Sequence, residues 1–173
     1  MFGMPLHPMV VHFPIVLVVL LPIFAAVTLW NIRRAPTSSR AWLPTVALAG
    51  ALTLSAFVAQ QTGESQEDRV ERVVTRGAIH AHEEAAERFV VLSGALFLIS
   101  LSGLARGTLG SAGRLLTAAG AVALVAAGVQ VGHSGGQLVY RDGGASAYTA
   151  PTTVRSVQTP LPSAVRVEEH EPR

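Results

Sequence analysis

The stretch LHPMVVHFPIVLVVLLP, residues 6–22, decides how this chain is read. Past its second histidine it is apolar almost without a break, yet its head carries His7 and His12, each close to a proline, Pro8 and Pro14. An amphipathic helix of a soluble protein would place polar residues at regular intervals along such a run. None are present, so the run is expected to cross a membrane. Pro14 and Pro22 are compatible with that, because neighbouring helices and water re-satisfy the carbonyls a proline frees in a membrane helix. The run lacks a cationic segment before it and is too long for the apolar part of a secretory signal, so it is expected to be retained.

The rest of the composition agrees. The chain has 173 residues, enough for one compact domain, with 50% apolar and only 14% charged residues; soluble domains carry about 25% charged residues. Mean hydropathy is +0.43. The absence of cysteine excludes disulfides, Cys-ligated iron–sulfur or zinc sites and thioether-attached haem. All 13 basic residues are arginine and the formal charge is +2. They are scattered among acids instead of forming a stripe, so no nucleic-acid partner is expected.

Four apolar runs, at about 9–31, 42–60, 88–105 and 115–132, each approach the ~20 residues needed to span a bilayer. The expected fold is all-α, an integral membrane four-helix bundle over residues 1–145, with lipid as its first partner. The loops IRRAPTSSR and RGTLGSAGR contain Arg33, Arg34, Arg40, Arg106 and Arg114 and no acid. The positive-inside tendency places both loops in the cytoplasm and both chain termini outside. The middle loop, about 62–87, is expected to be helical on the outer surface, with Val70, Val73 and Val74 on one face and Asp68–Arg72 and Glu84–Arg88 as i,i+4 pairs. GHSGGQLVYRDGG follows the fourth helix as a glycine-rich segment that dips back towards the interface. Residues 146–173 read as an irregular or disordered tail. Small residues at four-residue spacing (Ala47, Ala51 and Ser55; Ala119, Ala123 and Ala127 with Gly120 and Gly128) suit close helix packing and permit a homodimer. They would also clear space for a flat cofactor.

This topology sends His7, His12, His80, His82 and His133 to one end of the bundle, together with Gln60, Gln61, Thr62 and Glu64. His170 lies in the tail. A single histidine at the interface needs no ligand to explain it. His12, about a turn deeper than His7 and followed by unbroken apolar sequence, is the one expected to bind, with His7 at the rim, because polar groups within a membrane tend to mark function. Imidazole suits haem iron, zinc and copper. Haem b would take His12 with His82 or His133, and His7 nearby. A bare Zn or Cu ion would take three or four ligands from His12, His82, His133 and a carboxylate such as Glu64, Glu83 or Glu84. Acids at the head of the third helix equally complement its dipole or orient an imidazole. No triad, phosphate loop or helical ExxH pattern accompanies Ser134 or the glycines, and no catalytic residue is assigned.

LHPMVVHFPIVL, TGESQEDRV, HEEAAERF and GHSGGQLVYRDG, in that order over residues 4–145, resemble the bacterial membrane proteins of domain-of-unknown-function family 2231. The motif residues are His7, Pro8, His12, Pro14, Gly63, Glu64, His82, Glu83, Gly132, His133, Gly136 and Tyr140. The resemblance implies a four-helix domain in the cytoplasmic membrane of a bacterium. Some relatives are joined to Rieske-type or c-type cytochrome modules, which implies a redox setting. The leading expectation, motivated by the one-sided histidine cluster, is b-type haem for electron transfer, with quinone and a separate redox protein as partners. The alternatives are a Zn or Cu site used in transport, sensing or assembly, and a non-catalytic subunit of a membrane complex.

Overall fold

The computed structural model describes residues 6–34 and 39–148. Helices α1 (Leu6–Val10) and α2 (His12–Arg34) meet at a turn on Val11. The Val11 amide donates to the His7 carbonyl at 3.1 Å and the Ile15 amide to the Val11 carbonyl at 3.2 Å, so the two form one rod. A 3₁₀ turn, Ser39–Trp42, leads into α3 (Leu43–Glu64), which has proline in its first turn, where a missing N–H costs nothing. The short α4 (Glu67–Val70) precedes α5 (Arg76–Ser102) and α6 (Gly107–Tyr140), and a last 3₁₀ turn spans Gly144–Tyr148.

The four long rods are each long and apolar enough to cross a membrane. Each packs mainly on two neighbours: α2 on α3 and α6, and α5 on α3 and α6, which closes a four-helix ring. The middle of the ring is filled by Val18, Leu21, Leu52, Phe89, Leu96, Ala121 and Leu124. Gly120 lets α5 and α6 approach closely; a Cβ there would lie 2.6 Å from Leu96 Cδ1. Buried hydroxyls are satisfied: Ser93 donates to the Val90 carbonyl at 2.8 Å and Thr117 to Gly113 at 2.7 Å within their own helices, and Thr45 to Thr28 Oγ1 at 3.4 Å across to α2. Phe13, Val16, Leu54, Leu98 and Val122 are exposed on the outside. In water such a surface would drive aggregation; in lipid it is the expected solvent-facing side.

The all-α, four-span architecture is as expected, but the helices run further than hydrophobicity indicated. α5 begins at Arg76, twelve residues before the apolar run. α6 continues through GHSGGQLVY to Tyr140, so that segment is helix and does not dip back. At 1.5 Å per residue α6 is about 50 Å long, well beyond ~30 Å of hydrocarbon. Apolar sequence marks where lipid begins, whereas helix propagation continues as long as backbone bonds and packing are available. Of the three middle-loop valines only Val74 is buried, because residues 71–74 form turns and share no helical face. Glu84 pairs with Arg88 as expected, but Asp68 and Arg72 form no ion pair among the described residues. Ala47 and Ala51 face outward, and α3 packs instead through Thr45, Ala49, Leu52, Ala56 and Ala59. The expected tail begins within the last 3₁₀ turn; its remainder, with His170, lies outside the described residues.

Candidate functional site

The head of α1, the end of α3, the head of α5 and the end of α6 surround a cavity of about 440 Å³. It is flanked on one side by the Gly144–Tyr148 turn. Gly143, at φ +77°, makes the reversal after α6. The Tyr148 hydroxyl then donates to Gln66 Oε1 at 2.5 Å, tying the turn to the α3–α4 connection. Burial pushes the Tyr148 phenol above its usual range, so it stays protonated as that donor.

Two imidazoles from different helices meet at this cavity. His7 reaches across to the last turns of α3, where its Nδ1 lies 2.8 Å from the Ala59 carbonyl and 3.4 Å from Thr62 Oγ1. A carbonyl only accepts, so Nδ1 carries the proton and Nε2 keeps a lone pair. The ring rests on Gly63, where a Cβ would stand 3.2 Å from its Cε1. His82, on the second turn of α5, has its Nδ1 2.9 Å from Ser134 Oγ on α6. Ser134 spends its own proton on the Val131 carbonyl at 3.0 Å, which leaves Oγ to accept from Nδ1–H. His82 packs on Gly135, where a Cβ would come within 3.0 Å of Cε1. The two ring centres are 6.5 Å apart with planes at 79°. The hydrogen bonds of both rings run through Nδ1, and the Val131 carbonyl is a further partner of the His82 ring.

The remaining expected residues are arranged differently. Five residues along an α-helix is a rotation of about 140°. With His7 turned inward, His12 is therefore exposed on another side, and the anticipated order of rim and interior is reversed. His133 is also exposed; it precedes the inward Ser134, and its Nε2 takes the Gln137 side-chain amide at 3.0 Å. His80 is exposed, 3.7 Å from Glu83. Glu64 accepts from the amides of Gln60 and Gln61, both at 3.0 Å. His7, His82, Glu64 and Glu83 line the one cavity, which His12 and His133 do not reach. No group of three or more His, Asp or Glu is close enough to hold a metal ion among the described residues. The contributions of Ser134, Gly135, the Ala59 carbonyl and Tyr148 were not legible in the sequence. Only the five-residue His7–His12 spacing hinted that one of the pair must face away.

A family of predicted membrane proteins, DUF2231, matches residues 3–147. The chain belongs to family DUF2231. No curated protein and no solved structure matches it. The matched region of this DUF2231 chain takes in all four rods and every residue lining the cavity except Tyr148.

Carboxylates predominate in the cavity lining, with Arg69 beside it over the Tyr148 ring, 5.6 Å from the ring centre. Glu64, Glu67, Glu83, Glu84 and Glu87 line it and no arginine does. Arg88, the partner of Glu84, lies outside it. Beneath the two rings the bundle is apolar, closed by Val18, Leu52, Phe89 and Leu124. The arrangement offers a cation two oriented nitrogen donors and nearby negative charge, reached from one end.

Proposed function

We propose that this DUF2231 protein binds a transition-metal ion, zinc or copper, in the histidine-end cavity and serves in sensing or assembly at one face of a membrane. The observation that carries this reading is the pair of imidazoles held at Nδ1 with both Nε2 atoms free, the arrangement of histidines that ligate metals. Carboxylates around the pair favour a positive ligand. The apolar core beneath them favours capture at one face over passage through the bundle. Arg33, Arg34, Arg40, Arg106 and Arg114 belong to the opposite end, so the positive-inside rule directs the cavity outward from the cytoplasmic membrane of a bacterium.

One observation also favours haem b, with quinone and a separate redox protein as electron partners. The 6.5 Å ring separation is near the ~6 Å expected for two axial imidazoles with metal–nitrogen bonds of about 2 Å. Five lining glutamates and no lining arginine oppose it, because haem carries two anionic propionates.

Elemental analysis and an absorption spectrum of protein purified from a haem- and metal-replete host separate the readings. About one zinc or copper per chain, no Soret band and loss of metal in the double variant His7→Gln, His82→Gln is the expected outcome. A Soret band in the wild type sinks the metal-ion reading. Neither metal nor haem sinks both, and favours a non-catalytic subunit docking through the end of α6 near Gly135 and Tyr140.

A further inference from the structure

We infer that the ion is monovalent copper, held by His7 Nε2 and His82 Nε2 alone. This rests on the metal-binding reading above and goes further by naming the oxidation state and the complete ligand set. The first reason is donor number. Zinc in proteins takes four ligands, or three and a water, and no third His, Asp or Glu stands with the pair among the described residues. Glu64 is committed to Gln60 and Gln61, and Glu83 to His80. Cu(I), a closed-shell monovalent ion, is satisfied by two nitrogen donors in a near-linear arrangement.

The second reason is spacing. With metal–nitrogen bonds of about 2 Å, two imidazoles in trans through Nε2 place their ring centres about 6 Å apart, and at a tetrahedral angle about 5 Å. The observed 6.5 Å is closer to the trans value. Reaching a tetrahedral angle would require α1 and α5 to converge by more than an ångström, although His7 is seated on Gly63 and His82 on Gly135. The third reason is rigidity. Each Nδ1 is fixed by a different helix, α3 for His7 and α6 for His82, so the free nitrogens are oriented before the ion arrives. The surrounding carboxylates stay outside the ligand shell and attract the cation electrostatically.

The test uses the full chain in detergent or nanodiscs under anaerobic conditions, with Cu(I) partitioned against a chromogenic chelator, Ag(I) as a redox-inert substitute, and Zn(II) as competitor. One Cu(I) per chain is expected, with X-ray absorption showing two nitrogen donors, and an excess of Zn(II) failing to displace it. His7→Gln or His82→Gln should each weaken binding by about 100-fold or more, Ser134→Ala by about 10-fold, and His12→Gln and His133→Gln not at all. Because a substituted chain can fail to fold, the ¹⁵N-histidine spectrum of the wild-type protein gives a second measure: Ag(I) should shift the Nε2 resonances of two histidines only. If Zn(II) instead binds tightly and Glu64→Gln or Glu83→Gln abolishes it, the two-nitrogen Cu(I) site is overturned while the metal-binding reading stands. If no metal binds to the wild type, both fall.

Discussion

The two ends of the bundle are built on opposite plans. At the arginine end Trp42 and Arg114 are spent on holding helices together. Trp42 is fully buried and its indole N–H donates to the Ser100 carbonyl at 3.0 Å. Gly103 lies against that ring, where a Cβ would come within 2.7 Å of Cδ1. Arg114 donates from Nε to the Gly103 carbonyl at 2.7 Å, satisfying an acceptor left open at the end of α5. At the histidine end, side chains reach across helices too, but around a space. His7 and His82 each spend one nitrogen on the scaffold and keep the other. A candidate site differs from a joint by that unspent donor nitrogen.

Substitutions can break the contrast in a graded way. Trp42→Ala should have the largest effect, about 3–5 kcal/mol of stability for a large buried ring, read as a fall in melting temperature, while the folded fraction keeps its metal affinity. Gly103→Ala should cost about 1–3 kcal/mol through overpacking against Trp42. At the other end Ser134→Ala should leave the melting temperature within a few degrees and still weaken metal binding about 10-fold, through loss of the His82 orientation. If Ser134→Ala instead unfolds the chain without altering affinity, the histidine end is a joint like the arginine end. Tyr148→Phe should have the smallest effect, about 0.5–1.5 kcal/mol from one hydrogen bond to Gln66. It should appear mainly as faster metal exchange, measured by stopped-flow transfer to a chelator.

The spans were legible because hydrophobic length is a local property; LVVLLPIF needs no partner to declare itself apolar. Helix ends were less so. The motif GHSGGQLVY has three glycines, each costing about 1 kcal/mol in a helix, and local propensity argued against continuing α6 through it. Packing reversed that: Gly135 is the surface on which His82 rests, and Ser134 is the acceptor for its Nδ1–H. The same holds for the paired histidines at the start. Depth along the helix favoured His12, whereas rotation about its axis selected His7, and hydropathy records depth better than rotation.

By itself the sequence determined four membrane-spanning helices, acid-free arginine loops at one end with histidine and glutamate gathered at the other, and membership in one family. Those follow from composition and order along the chain. Tertiary structure alone decided that His7 faces His82, that His12 and His133 face away, and that both inner rings keep Nε2 free. Those depend on the azimuth of each helix against its neighbours. Azimuth is set by how Gly63, Gly120 and Gly135 admit the side chains opposite them, a property of helix pairs that no single segment carries.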